Sequence, residues 1–180
     1  MWHKLLSVPS AAVKASSFVE GADESLTLAV VYSGTIDLGK GPLTSSGSSS
    51  LAVARFSGSN GAVIWAKSFG GAGSLFTLGS VDTNVNGLTV VTGGYGGSVS
   101  FGGATLPASQ DTFLTVFDAA GALKWDKTVM VGSSGSLIAA SSPCGVALAT
   151  NSVSVDLGTG PLSNQVSPKP PSIGVAAIAY

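Results

Sequence analysis

Trp65-Ala66-Lys67-Ser68-Phe69 is the stretch that decides the fold. Its large residues, Trp65, Lys67 and Phe69, alternate with Ala66 and Ser68, the period of two that sets every second side chain of a strand on one face. The lysine stem then lies between aromatic rings and carries its ammonium outward. The Trp-x-Lys opening returns as Trp125-Asp126-Lys127 and as Trp2-His3-Lys4, and these hold all three tryptophans of the chain. Their spacing of about sixty residues is of the order at which self-similarity marks stacked or radially arranged units.

Two further markers keep the same order. Thr35 to Leu43 is answered by Ser98 to Leu106 and by Ser154 to Leu162, with Leu38, Phe101 and Leu157 in register. An apolar run ending on an aromatic comes as Leu51 to Phe56, Thr112 to Phe117 and Val175 to Tyr180. Leu26 to Tyr32, Leu88 to Thr92 and Gly145 to Thr150 are read as second strands, and Val99 to Phe101 as a short third strand stopped by Gly102-Gly103. The fourth strand, Thr112 to Phe117, runs through Asp118-Ala119-Ala120-Gly121 into Trp125. Gly61 and Gly121 each stand four residues before a tryptophan, where a hairpin needs positive φ.

No window has a helical apolar period, so the expected fold is all-β: three repeats of a four-stranded antiparallel unit in one domain, 1–180. The units are 2–64, 65–124 and 125–180, with strand 1–7 completing the last. Hydrophobic side chains make up 44% of the 180 residues, enough for one substantial core.

Only 9% of residues are charged and the net charge is -1, which argues against a nucleic-acid partner. No apolar run approaches the roughly 18 residues of a membrane helix. Ser7, Pro9 and Ser10 interrupt any signal-peptide core in Met1 to Ala15. Cys144 has no second thiol for a disulfide or a zinc site and reads as a structural thiol. Low charge and abundant Gly, Ser and Thr lean towards a secreted or cell-surface protein.

Gly34 to Leu43 and Ser154 to Leu162, followed by Leu51 to Gly70 and Thr112 to Lys127, resemble the bacterial β-propeller repeats of surface and secreted proteins of myxobacteria and their relatives. The resemblance implies four-stranded blades with a scaffolding or binding role. The middle unit departs from it at Ser100 and Ala104-Thr105, and Val166 to Ser172 is a proline-rich insertion. The chain opens on a Trp-x-Lys strand and closes on the strand that leads into one, so its ends read as two halves of one hairpin. Two chains exchanging strands into a six-bladed ring is the expected assembly, since three blades are fewer than the usual four to eight. A β-prism or β-trefoil with a lectin's role is the alternative.

No residues form a catalytic team, and the expected catalytic, metal and cofactor sites are none. His3 occupies a variable strand position. Asp37 and Asp156 share one place in their repeats, but Ser100 in the third copy and the six or more oxygens calcium needs favour turn capping. Glu20, Asp23 and Glu24 read as a solvated loop. Gly93 to Gly97 lacks the Lys-Ser/Thr of a phosphate loop. The tryptophans fit blade packing better than a sugar platform. The function expected is a non-catalytic module acting through loops or self-assembly, with a protein or glycan as ligand.

Overall fold

Two central strands carry the architecture, because every residue of β5 (Ser50–Phe56) and five of seven in β9 (Asp111–Phe117) are buried. A strand covered on both faces reads as a continuous apolar run, as Leu51 to Ala54 does, whereas strands at a sheet's rim alternate. The computed structural model describes residues 3, 6, 10–107, 111–131, 137–142, 145–150, 154–156, 161–163 and 174–179. Among these residues there are strands and turns and no helix.

Sheet 1 runs β1 (Ala12–Glu20), β2 (Leu26–Ser33), β5 and β6 (Val63–Phe69), antiparallel throughout. Between β2 and β5 the chain leaves the sheet to form a separate hairpin, β3 (Thr35–Asp37) with β4 (Pro42–Thr44). Sheet 2 takes β7 (Leu75–Thr83), β8 (Thr89–Gly96), β9 and β10 (Leu123–Val131) in the same order. It is extended beyond β10 by β13 (Ser154–Asp156) and β14 (Pro161–Ser163). Sheet 3 is β11 (Leu137–Ser142), β12 (Gly145–Thr150) and β15 (Gly174–Ala179).

The strand assignment needs one correction. Val99 to Phe101 is not a strand of the main sheet: Val99 makes a lone antiparallel bridge to Leu106, outside the sheet. The strands that complete the four-stranded meanders are β1 and β7, with β11 in sheet 3, and none of them was read from the sequence. Their signal is weak for a physical reason. β1 shifts register between Val13 and Ala15, and β7 between Leu78 and Ser80, so a bulge breaks the two-residue period in each. The sheets are also unequal, with four, six and three main strands.

Sheets 1 and 2 meet face to face. Ala29, Val31, Leu51, Val53, Trp65 and Phe69 of sheet 1 join Phe76, Val81, Val91, Tyr95, Phe113 and Phe117 of sheet 2, with Val99, Phe101 and Leu106 of the excursion between β8 and β9. Phe69 stacks on Phe117 at 5.2 Å and tilts against Phe101 at 5.3 Å. The other face of sheet 2, with Val90, Leu114, Val116 and Val129, packs on Val146 of sheet 3. The other face of sheet 1 holds Tyr32, Ile36, Leu38, Ala52, Ala54 and Phe56, with Leu6 packed against them. β7 therefore lies against β1 and β2 on one side and β11 on the other. Two tyrosines in like positions are satisfied alike, the Tyr32 hydroxyl bonding Ser68 Oγ at 2.7 Å and that of Tyr95 bonding Thr128 Oγ1 at 2.8 Å.

Candidate functional site

The most elaborate polar arrangement in the described residues is built around Arg55, a cation 3% exposed between two sheets. β5 carries it to the end of sheet 1 where the β1–β2 turn and the β7–β8 turn converge. Its Nε donates to Ser25 Oγ at 3.0 Å, Nη1 to the Gly87 carbonyl at 3.0 Å and Nη2 to Asp23 Oδ2 at 2.8 Å. Ser25 Oγ in turn donates to Asp23 Oδ1 at 2.6 Å. The Ser25 hydrogen bonds, and then the guanidinium, hold the Asp23 carboxyl below the usual aspartate range against the cost of burial. Beside them Thr83 Oγ1 donates to Thr27 Oγ1 across the same sheet junction. Each nitrogen of the buried guanidinium is hydrogen-bonded within the protein, two to the β1–β2 turn and one to the β7–β8 turn, so this cluster joins sheets.

The opposite end of the junction is closed by serines. Ser49 N donates to the Ser74 carbonyl at 3.1 Å, Ser74 Oγ to the Ser49 carbonyl at 2.9 Å, and Phe76 N to Ser49 Oγ at 2.8 Å. Ser45 Oγ and Ser50 Oγ accept from Gly34 N and Ser46 N. The Ser/Gly-rich stretch from Ser45 to Ser50 is thus spent on backbone groups that a sheet junction would otherwise leave unpaired.

Trp65 is 6% exposed, its Nε1 donating to the Ala119 carbonyl at 3.1 Å and its ring lying over Gly121. A Cβ at Gly121 would come within 2.6 Å of that ring, and the glycine has φ 79, so the turn must be glycine both for conformation and for space. This tryptophan is a packing residue. Trp125 is half-buried against the second sheet's other face.

The remaining residues singled out by sequence are dispersed. His3 is exposed. Asp37 caps its turn as expected, Oδ1 accepting from Gly39 N at 2.6 Å and Gly41 N at 3.2 Å. Ser100 bonds its own turn in a similar way, its Oγ accepting from Gly102 N and donating to the Gly103 carbonyl. Asp156 is in β13. Glu20, Asp23 and Glu24 are all exposed, as a solvated loop requires, and Asp23 in addition pairs with Arg55. Gly93 to Gly96 end β8, with Gly93 pressed under the Thr77 carbonyl and the Phe113 ring. Cys144 and Val166 to Ser172 lie outside the described residues. No group of three His, Cys, Asp or Glu that could hold a metal occurs among the described residues.

Glu24 adopts φ 60 in the β1–β2 turn, a left-handed conformation that costs a side-chain-bearing residue about 1 kcal/mol or more. Glu24→Gly is therefore expected to stabilise the fold by about 1 kcal/mol, read as a rise in the urea midpoint with unchanged slope. An unchanged or lower midpoint would show that the strain is not there.

Sequence reading missed one pair. Thr115 and Asp126 face each other across β9 and β10, and Thr115 Oγ1 and Asp126 Oδ2 are both buried without a hydrogen-bond partner. The same cross-strand place in sheet 1 is Ala54 opposite Ala66. Burial raises the Asp126 carboxyl above the ordinary aspartate range. The folded chain then keeps a proton that the unfolded chain releases, so stability falls as pH rises from the unfolded value through the raised folded one. Asp23 acts in the opposite sense, its contribution being lost as pH falls through its lowered value. Asp126→Asn is expected to abolish the loss on the rising side and leave the acid limb intact, measured as urea midpoints from acid to neutral pH. Parallel profiles for variant and parent would refute this. Comparisons with protein-family models, curated proteins and solved structures find no match to this chain.

Proposed function

We propose that this chain is a non-catalytic, β-propeller-like module that binds a partner through its exposed turns. The observation that carries this reading is the way polar chemistry is spent. Arg55, Asp23, Ser25, Ser49 and Ser74 all bond within or between sheets, and the outermost turns are left to meet solvent. The placing of β7 between β1 and β11 supports successive blades around a common axis. Val85, 64% exposed at the tip of the β7–β8 turn, is an apolar contact held out on a rigid base. That base is firm because Asn84 Oδ1 accepts from Asn86 N at 2.9 Å and Leu88 N at 3.0 Å.

Secretion or display at the cell surface fits the low charge and the Ser/Thr/Gly-rich composition. The lectin alternative loses one of its supports, since the indole of Trp65 is buried and its N–H is committed. An array of glycans and peptides probed with the intact chain and with Val85→Asp tests the proposal. Binding that Val85→Asp removes without lowering the melting temperature supports turn presentation. Glycan binding indifferent to Val85 and to the other exposed turns would favour the lectin and overturn it.

A further inference from the structure

We propose that Asn86-Gly87, in the β7–β8 turn, is a site of spontaneous deamidation that Arg55 holds closed, so that conversion at Asn86 unfastens the two sheets there. The inference does not depend on the binding role proposed above. The reaction consumes water and no other reactant. Gly87 N gives up its proton and bonds Asn86 Cγ, the Cγ–Nδ2 bond breaks, and ammonia leaves behind a five-membered succinimide. Water then opens the ring at one of its two carbonyls. Attack at Cγ gives aspartate, and attack at the main-chain carbonyl gives isoaspartate.

Asn86 is exposed, and its side chain makes no hydrogen bond among the described residues, so its Cγ is open to attack. Gly87 has φ 76 and no Cβ to screen its nitrogen. The attack requires the Gly87 amide to turn about the Asn86 Cα–C bond onto the side chain. Two bonds oppose that rotation: Gly87 N donates to the Asn84 carbonyl at 2.9 Å, and the Gly87 carbonyl accepts from Arg55 Nη1 at 3.0 Å. The first is a turn bond between neutral groups. The second is buried and charge-assisted, and the same guanidinium is anchored on Ser25 and Asp23 in the neighbouring sheet.

The β5–β6 turn carries the same dipeptide, Asn60-Gly61, and provides the contrast. Gly61 has φ 68, its N donates to the Ser57 carbonyl at 2.8 Å, and both glycines are buried beside an exposed asparagine. There, however, Asn60 Oδ1 accepts from Ala62 N at 2.9 Å, which ties down the side chain itself, and none of the three bonds of Arg55 goes to that turn. One asparagine is restrained through its own amide, the other through an arginine reaching across the sheets. Isoaspartate at 86 adds a methylene to the main chain next to Gly87 and carries the Gly87 carbonyl off the guanidinium. Conversion thus cuts the bond that ties Arg55 to the β7–β8 turn, and the loss of ammonia makes it one-way.

The test incubates the intact chain at mildly alkaline pH and follows Asn86 and Asn60 by peptide mass spectrometry, scoring the mass gain of an amide becoming an acid. Asn86 is expected to convert at least about tenfold more slowly in the folded parent than in the urea-unfolded chain. Arg55→Leu is expected to raise the folded-chain rate at Asn86 about tenfold relative to that at Asn60, the change in open population that losing one charge-assisted hydrogen bond brings. Arg55→Lys is the companion variant, keeping the stem and the charge while its ammonium cannot span the acceptors of both turns, and it is expected to move the ratio the same way. Leu51→Ala, which opens the buried far end of the same strand and leaves the turn bonds in place, is expected to leave the ratio as in the parent. An Asn86 rate equal in the folded and unfolded parent, or a ratio unmoved by both arginine variants, would overturn the inference. So would a ratio that Leu51→Ala raises as much as they do, since general destabilisation would then account for it.

Discussion

Arg55→Leu lowers stability by about 3 kcal/mol, the scale of losing several charge-assisted hydrogen bonds at a buried site. The leucine keeps much of the apolar stem but leaves the Gly87 carbonyl without its donor, and Ser25 without the cation it faces. Asp23→Asn is the contrasting variant. The carboxylate of Asp23 is 56% exposed, so water screens its ion pair and the loss is about 1 kcal/mol or less. Urea denaturation of the two variants separates the contributions. Equal losses would mean that the ion pair matters as much as the bond across the sheets, and the account given for Arg55 would fail.

Phe117→Ala costs about 4 kcal/mol, the usual range for deleting a fully buried phenylalanine. Its ring stacks with Phe69 at 5.2 Å and tilts against Trp65 at 6.0 Å, so one deletion opens a hole between sheet 1 and sheet 2. In a chain of this size the melting temperature falls by roughly 10 °C. Calorimetry on the variant provides the check, and a fall of only a degree or two would show that the neighbouring rings close the gap.

Both effects fall on side chains whose places were unequally visible beforehand. Phe117 was visible as the aromatic end of a recurring apolar run, because a strand buried on both faces announces itself by composition. The strands β2, β5, β8, β9 and β12 follow from such apolar runs, and β6 from the alternation of Trp65, Lys67 and Phe69 with Ala66 and Ser68. β1, β7 and β11 were not visible, since bulges in the first two scramble the alternation by which a strand is recognised. Arg55 and its partners were hidden for another reason. Arg55 is 30 residues from Ser25 and 32 from Asp23 and from Gly87, and only the fold brings them together. Thr115 and Asp126 were equally unreadable, because a register shift between Leu123 and Trp125 decides which residues stand opposite each other.

The Arg55 cluster also bears on how such a chain avoids assembling wrongly. Antiparallel sheets that stack through apolar faces can pair with the wrong neighbour, and a nascent chain of them is prone to mispairing and to swapping strands. Where sheet 1 carries Arg55, sheet 2 carries Val116, so the arginine occurs on one sheet and its carbonyl acceptor, Gly87, on the other. A wrong neighbour would have to bury that guanidinium with bonds unmade. The charge works as an address, making the correct order of sheets chemically different from its permutations and rejecting them by penalty rather than by attraction.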